Sequence, residues 1–352
     1  MDGMRQSDHR FFSSTVVLLL AISFLTSLAQ AESGNTTKVT FHPSLSDFGA
    51  GEPYYQPAGA NRTQIPFELI DNRPVFPVRL NGSNKVFHFI LDTGSYMTVI
   101  STETAYRLGI RITPRGRKAA GVGGNFEVVD GVLWSCEIGK VRLDDVPVFI
   151  RPFLEQSYPV DGYIGLSFIS RFVTSVDYGE RVLTLERYAE VPESGSNSGS
   201  TIPIKSTSGG IVIGGVRVEG IEGPLNFILD TGATVSVFGR HGEALPAISS
   251  CKRGERIRII GAGGIEEDAT TVFLPRLIVG SSEQQNILAV VLDLEQINRA
   301  VGSRQMGVLG GNFLRHFKVV LDLPRKVVRL LPLVDEKTFE SRTIAIDTIA
   351  PH

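Results

Sequence analysis

The chain has 352 residues, 42% of them hydrophobic and 20% charged. That balance excludes a disordered or collagen-like polymer and suits about two globular domains. The formal net charge of −2 gives no electrostatic footprint for nucleic acid or for an anionic membrane surface.

The N-terminus differs in kind from the rest. Arg5 and Arg10 precede the apolar run "TVVLLLAISFLTSL", which is too short for a comfortable membrane span. Ala29-Gln30-Ala31 follows with the small-x-small pattern of a signal peptidase site. This predicts a secretory signal peptide over residues 1–31, cut after Ala31, and export to a periplasm or to the outside. An uncleaved anchor is the weaker alternative. Residues 32–63 are polar and contain Pro and Gly, as in a loose arm or a removable pro-segment.

From residue 64 the chain is written twice. "IPFELIDNRPVFPVRLNG" (65–82) aligns with "IPIKSTSGGIVIGGVRVEG" (202–220). "FHFILDTGSYMTVIS" (87–101) returns as "LNFILDTGATVSVFG" (225–239), and "AGVGGNFEVV" (120–129) as "IGAGGIEEDA" (260–269). "DGYIGLSFISRFVTSVDYGERVLTLE" (161–186) returns as "MGVLGGNFLRHFKVVLDLPRKVVRLL" (306–331). Copies this long are too large for a solenoid unit, so they predict two similar lobes, 64–187 and 201–333. The Gly/Ser-rich stretch within 188–200 reads as a flexible linker, and 334–352 as a tail without a pattern.

Within each lobe the elements read as strands. "VFPVRL", "KVFHFIL", "FEVVDGVLWSCEIGKVRL", "VPVFI" and "RVLTLE" are short and rich in Val, Ile, Leu and Phe, with breaks at Gly, Asn-Gly or Asp-Asp. Short helices are expected at "TETAYRLG", capped by Ser101 or Thr102 and stopped at Gly109, and at "GLSFISRF" with its partner "GGNFLRHF". The predicted class is all-β with minor helix. Cys136 and Cys251 do not occupy equivalent positions in the two copies, which argues against a structural bridge. Six scattered histidines without a His-x-x-x-His pair argue against a metal site.

The chemistry lies in the two D-T-G tripeptides. An aspartate at the end of an apolar strand is costly unless something holds it. In "FILDTG" the strand delivers Asp92 to a turn where Thr93 can hydrogen-bond across to neighbouring backbone. Gly94 lets a backbone N–H approach the carboxylate. One such tripeptide is an ordinary turn; two in identical apolar frames, in register with a larger repeat, are not. Lobes related by a pseudo-twofold axis would bring Asp92 and Asp230 to roughly 3 Å, too close for both to ionise. The pair would share a proton, with one member a base towards a held water and the other an acid towards a peptide carbonyl. Such chemistry needs no metal, cofactor or covalent intermediate.

On these residues the chain resembles the aspartic peptidases, specifically the retropepsin-like branch, over both lobes. The resemblance implies the acid-protease fold, with two β-barrel-like lobes on one chain as in pepsin, and a peptide or protein substrate. Asp92 and Asp230 would be catalytic. Thr93, Gly94 and Ser95, and Thr231, Gly232 and Ala233, would support the active-site loops. Gly121, Val122, Gly123 and Gly124, and Gly261, Ala262, Gly263 and Gly264, would form two flaps that close over substrate. Ile164-Gly165 and Leu309-Gly310 would sit behind the catalytic loops. The chain also departs from the retroviral pattern. Tyr96-Met97 and Thr234-Val235 replace two aspartates that hold substrate backbone, and Leu166 and Gly311 replace an arginine. Ser95, against Ala233, could donate its hydroxyl to Asp92 and bias that member of the pair towards the charged form.

Rival readings fare worse. Neither glycine cluster is a G-x-G-x-x-G that opens a helix, so a dinucleotide loop is rejected. Glycosidase carboxylates stand about 5–5.5 Å or ~6.5–9.5 Å apart, wider than two loops meeting on an axis. A non-catalytic peptide-binding descendant should have lost one aspartate. Lobes that pair between chains rather than within one remain open.

Overall fold

Alternating burial along short apolar segments is what a closed β-barrel demands, because each strand must fill the barrel with one face. In the computed structural model, the described residues are 58–112, 116–154, 158–188, 200–243 and 246–333, with backbone strands at Thr15–Val17 and Ser23–Phe24. The expected cleavage site, most of the 32–63 arm, most of the linker and the 334–352 tail lie outside them.

The first lobe closes from six strands: Arg73–Leu80, Phe87–Leu91, Thr98–Ser101, Gly124–Ile138, Val141–Arg151 and Gly162–Ile164. Val141–Arg151 runs parallel to Thr98–Ser101, which is antiparallel to Gly162–Ile164; that strand is parallel to Phe87–Leu91, itself antiparallel to Arg73–Leu80. The pairing of Cys136 with Leu80 closes the ring. The second lobe repeats this order and these senses with Ser282–Leu292, Ser236–Gly239, Gly307–Leu309, Leu225–Leu229 and Gly210–Val218, closed by Val216 on Val279 of Thr271–Val279. The fold is all-β and two-lobed. Phe76, Phe87 and Phe89 fill the first barrel and Phe227 and Phe238 the second, all fully buried. Each such ring contributes about 1.5–3 kcal/mol through its burial.

A sheet with three strands from each lobe joins the barrels. Arg62–Pro66, Val182–Arg187 and Phe172–Asp177 continue into Phe317–Asp322, Val327–Pro332 and Ser200–Thr207. At the seam Val176 faces Val319, and Asp177 faces Lys318, whose Nζ lies 3.3 Å from Asp177 Oδ2. Val176, Val319 and Leu321 are buried there, so the lobes meet across core rather than across a wet surface.

The helix Thr102–Arg107 starts where its cap requires, with the Ser101 hydroxyl accepting from the Thr104 N–H. Leu166–Ile169 and Gly311–Leu314 form the two short helices behind the site. A further helix, Glu295–Val301, is not among the sequence expectations. Only Ile297 and Val301 of its seven residues are buried, too few for a readable helical period. Cys136 and Cys251 are free thiols, and burial pushes the Cys136 thiol upward.

One contact explains the departure at Gly311. The turn at Asp71-Asn72 reaches across from the first lobe, where Asn72 donates to the Thr234 carbonyl at 3.0 Å and accepts from Arg315 Nη1 at 3.1 Å. A Cβ at Gly311 would stand 2.2 Å from the Asn72 carbonyl oxygen. An arginine at 311 would therefore have to displace this inter-lobe turn. Gly311→Arg should lower unfolding stability by about 1–3 kcal/mol through overpacking, read by urea denaturation. Unchanged stability would show that the turn moves aside freely.

Candidate active site

Asp92 and Asp230 each follow a buried strand, Phe87–Leu91 and Leu225–Leu229. The short buried strand behind each loop fixes it from below. The Asp92 N–H donates to the Ile164 carbonyl and the Asp230 N–H to the Leu309 carbonyl, both at 3.0 Å. The glycine after each of these strands is required by proximity, since a Cβ at Gly165 or Gly310 would lie 2.4 Å from the carbonyl oxygen of Met97 or Val235.

The two threonines bind the loops to each other reciprocally. Thr93 Oγ1 donates to the Leu229 carbonyl at 2.7 Å and accepts from the Thr231 N–H at 3.0 Å. Thr231 Oγ1 donates to the Leu91 carbonyl at 2.6 Å and accepts from the Thr93 N–H at 3.2 Å. Every one of these bonds crosses between lobes, and both side chains are fully buried. A buried hydroxyl that both donates and accepts has no cheaper alternative partner, so the exchange fixes the spacing of the loops.

That spacing brings the two carboxyl groups into hydrogen-bond contact with one another. The Gly94 N–H donates to Asp92 Oδ1 at 3.0 Å, and the Gly232 N–H to Asp230 Oδ1 at 2.8 Å. Each glycine also gives the opposite carboxylate its room. A Cβ at Gly94 would stand 2.5 Å from Asp230 Cγ, and one at Gly232 2.9 Å from Asp92 Cγ. Burial raises both acids. Asp92 is held at about 7, partly eased by its hydrogen bond from Asp230 and by the backbone N–H groups of Gly94 and Ser95. Asp230 is raised further, by burial and then by the adjacent Asp92 charge. Among the described residues none donates an N–H or O–H to the buried Asp230 Oδ2, so the charged form of Asp230 gains no support there. Asp92 is thus the member that ionises first.

The asymmetry has the expected direction but not the expected cause. The Ser95 hydroxyl donates to the Met97 carbonyl at 2.9 Å and does not serve Asp92. Only the backbone N–H of Ser95 helps that carboxylate. Ala233, also fully buried, supplies the equivalent N–H to Asp230. Tyr178 carries no sequence signal, as it lies far from either tripeptide. Its buried hydroxyl is pushed upward by burial and by the charge of Asp230.

The glycine-rich segments are hairpins, Gly116–Gly121 with Gly124–Ile138 and Ile257–Gly261 with Gly264–Ala269. Gly121 pairs with Gly124 and Gly261 with Gly264, leaving Val122-Gly123 and Ala262-Gly263 as the tips. The tips meet, with the Gly263 N–H donating to the Val122 carbonyl at 2.7 Å. A Cβ at Gly123 would stand 2.6 Å from the Gly264 nitrogen, and one at Gly263 2.1 Å from the Gly124 carbonyl oxygen. Tyr96, Met97, Thr234 and Val235, the residues that replace acidic ones, are buried. The helix Glu295–Val301 packs against the first-lobe strand Gly116–Gly121, so the second lobe helps to support the hairpin of the first.

Two equivalent β lobes that meet at a hydrogen-bonded aspartate pair define the acid-protease architecture. The sequence profile of the family described as aspartyl protease matches residues 76–168 and 214–313, more than half of the chain and one aspartate in each stretch. The chain belongs to that family. Its structure is similar to the crystal structure of an aspartic proteinase from Irpex lacteus, with a TM-score of 0.48 and 16% identity over 77% of this chain and 97% of that one. No protein of curated function matches the sequence.

The pair also sets a pH dependence of stability. Unfolded, both carboxyls release their protons near pH 4; folded, they keep them to about 7 for Asp92 and higher for Asp230. The folded state therefore binds more protons between these values, and its stability falls as pH rises through them. Relative to the unaltered chain, Asp92→Asn/Asp230→Asn should gain stability as pH rises from about 4 through about 7, by on the order of a few kcal/mol. Denaturation of both chains at stepped pH reads this difference. A difference independent of pH would mean that the two acids are not buried as a pair.

Proposed function

We propose that the protein is an aspartic endopeptidase that hydrolyses peptide bonds through a water activated by Asp92 and Asp230. What supports this reading is the single observation of two buried carboxyl groups, one from each lobe, held against one another by the inter-lobe threonine bonds. Ionised Asp92 takes a proton from the water as its oxygen attacks the peptide carbonyl carbon, while Asp230 gives its proton to the carbonyl oxygen. The tetrahedral diol then collapses: Asp92 passes its proton to the departing amine nitrogen, and Asp230 recovers a proton from a diol hydroxyl. The pair returns to one shared proton, and every atom and electron pair is accounted for.

The substrate class follows from the surroundings. The hairpins offer backbone N–H and C=O groups to an extended peptide, and the positions after the aspartates are uncharged, which favours apolar side chains. A peptide-binding module without activity would have no use for two costly buried acids in equivalent frames. The protein is also proposed to be exported, on the N-terminal leader pattern, and to act as a monomer whose lobes form the site within one chain.

Asp92→Asn and Asp230→Asn should each lower the cleavage rate of a peptide mixture by at least about a hundredfold, with the fold retained by circular dichroism. In the unaltered enzyme the acid limb of the rate profile should lie above the ordinary carboxylate range, because Asp92 must lose its proton to act as base and burial raises that step. Retained activity in either variant, or an acid limb near pH 4 (the unperturbed value, about 3.9), would contradict the mechanism.

A further inference from the structure

Arg73 carries a guanidinium that the fold buries without a matching acid. The residue is fully buried, yet its Nε and Nη1 find no acceptor among the described residues. Its Nη2 reaches Asp71 Oδ2 only at 3.4 Å, and that carboxylate is half-exposed. A guanidinium keeps its charge inside a protein. A buried charge is costly unless it is paired and hydrogen-bonded, so the unmet donors on Nε and Nη1 call for an acceptor from outside the chain.

The strand places this group between the lobes rather than inside a barrel. Along Arg73–Leu80, Pro74, Phe76, Val78 and Leu80 are buried, and alternation puts Arg73 on the other face, which is exposed at Pro77 and Arg79. The strand starts at the inter-lobe turn. Asn72, the residue before it, donates to the carbonyl of Thr234, four residues after Asp230. Arg73 thus stands beside the loop that carries Asp230. Its burial does not set it apart from substrate, because Asp92 is buried and Asp230 fully buried as well. Any opening that admits a peptide to the pair must uncover groups this deep. The second lobe has no counterpart. Arg73 pairs with Ile70 as Gly210 pairs with Thr207, so the repeat makes Gly210 the equivalent residue. A Cβ at Gly210 would stand 2.6 Å from the Thr93 carbonyl oxygen, which leaves no room for a side chain. The cation therefore belongs to one side of the aspartate pair only.

We propose that Arg73 is a specificity residue of the peptide site, where it takes the carboxylate of an aspartate or glutamate side chain of the substrate. The substrate class rests on the peptidase reading; the preference for an acid rests on the unmatched guanidinium. A carboxylate supplies the acceptors that Nε and Nη1 lack, in the paired geometry that a guanidinium favours. Tyr96, Met97, Thr234 and Val235 bring no acid of their own to compete for it. The long, half-exposed contact with Asp71 is a weak competitor. The site then selects extended peptides that are apolar except for one acidic residue. Glutamine in its place would leave the cation without its charge partner, and a site built around a polar group rejects the analogue that cannot satisfy it.

The test reads binding, so that it does not depend on cleavage. An apolar peptide blocked at both ends is made with glutamate at each position in turn, and again with glutamine. Equilibrium binding to the protein carrying Asp92→Asn should favour glutamate over glutamine at one position by at least about tenfold. Adding Arg73→Met should abolish that preference while the glutamine peptides bind as before. Arg73→Lys keeps the charge without the planar fork and should retain only part of the preference; it carries the test alone if Arg73→Met does not fold. Absence of the preference at every position, or a preference unchanged by the Arg73 substitutions, overturns the proposal. Cleavage of the same peptides by the unaltered protein tests the peptidase reading separately. If none is cleaved, that reading fails, and the binding result still decides the role of Arg73.

Discussion

The reciprocal exchange between Thr93 and Thr231 is the constraint on which the site depends. Each hydroxyl is buried, each donates to a carbonyl of the opposite lobe, and each accepts from the opposite threonine's N–H. Four bonds made only when the lobes are in place hold the aspartates at contact distance, so the electrostatic cost of the pair is met by the assembly of the fold rather than by either lobe alone. The joining sheet and the Asn72 turn serve the same end from below and from the side.

The consequence is a pair of acids that are equivalent in sequence and unequal in chemistry. Both accept one glycine N–H and both are buried, yet the neighbouring charge adds to burial in raising Asp230, while Asp92 is eased by its hydrogen bond from Asp230. A perfectly symmetric pair would gain nothing from this distinction. On a single chain, each lobe is free to differ around its own aspartate, and such differences can fix which member is acid and which is base.

Much of this was legible in the residues. The ILDTG frames, the glycine-rich hairpins and the apolar-Gly strands are local patterns whose chemistry is complete within a few residues, so they read directly as two lobes and one site. What depended on tertiary direction did not read. The Ser95 hydroxyl lies near Asp92 in sequence, but it donates to the Met97 carbonyl instead. Asn72 sits in an ordinary turn until Gly311 leaves room for it in the other lobe. The Glu295–Val301 helix is too short and too polar for periodicity.

The central claim is that one chain supplies both halves of one site. Mixing Asp92→Asn chains with Asp230→Asn chains, unfolding them together and refolding them tests it most directly. If each chain closes its own site, every refolded molecule lacks one aspartate and the mixture stays as inactive as its parts. If lobes pair between chains, mixed dimers regain an intact Asp92–Asp230 site and the mixture recovers roughly a quarter of the sites of the unaltered protein, a result that would contradict the account.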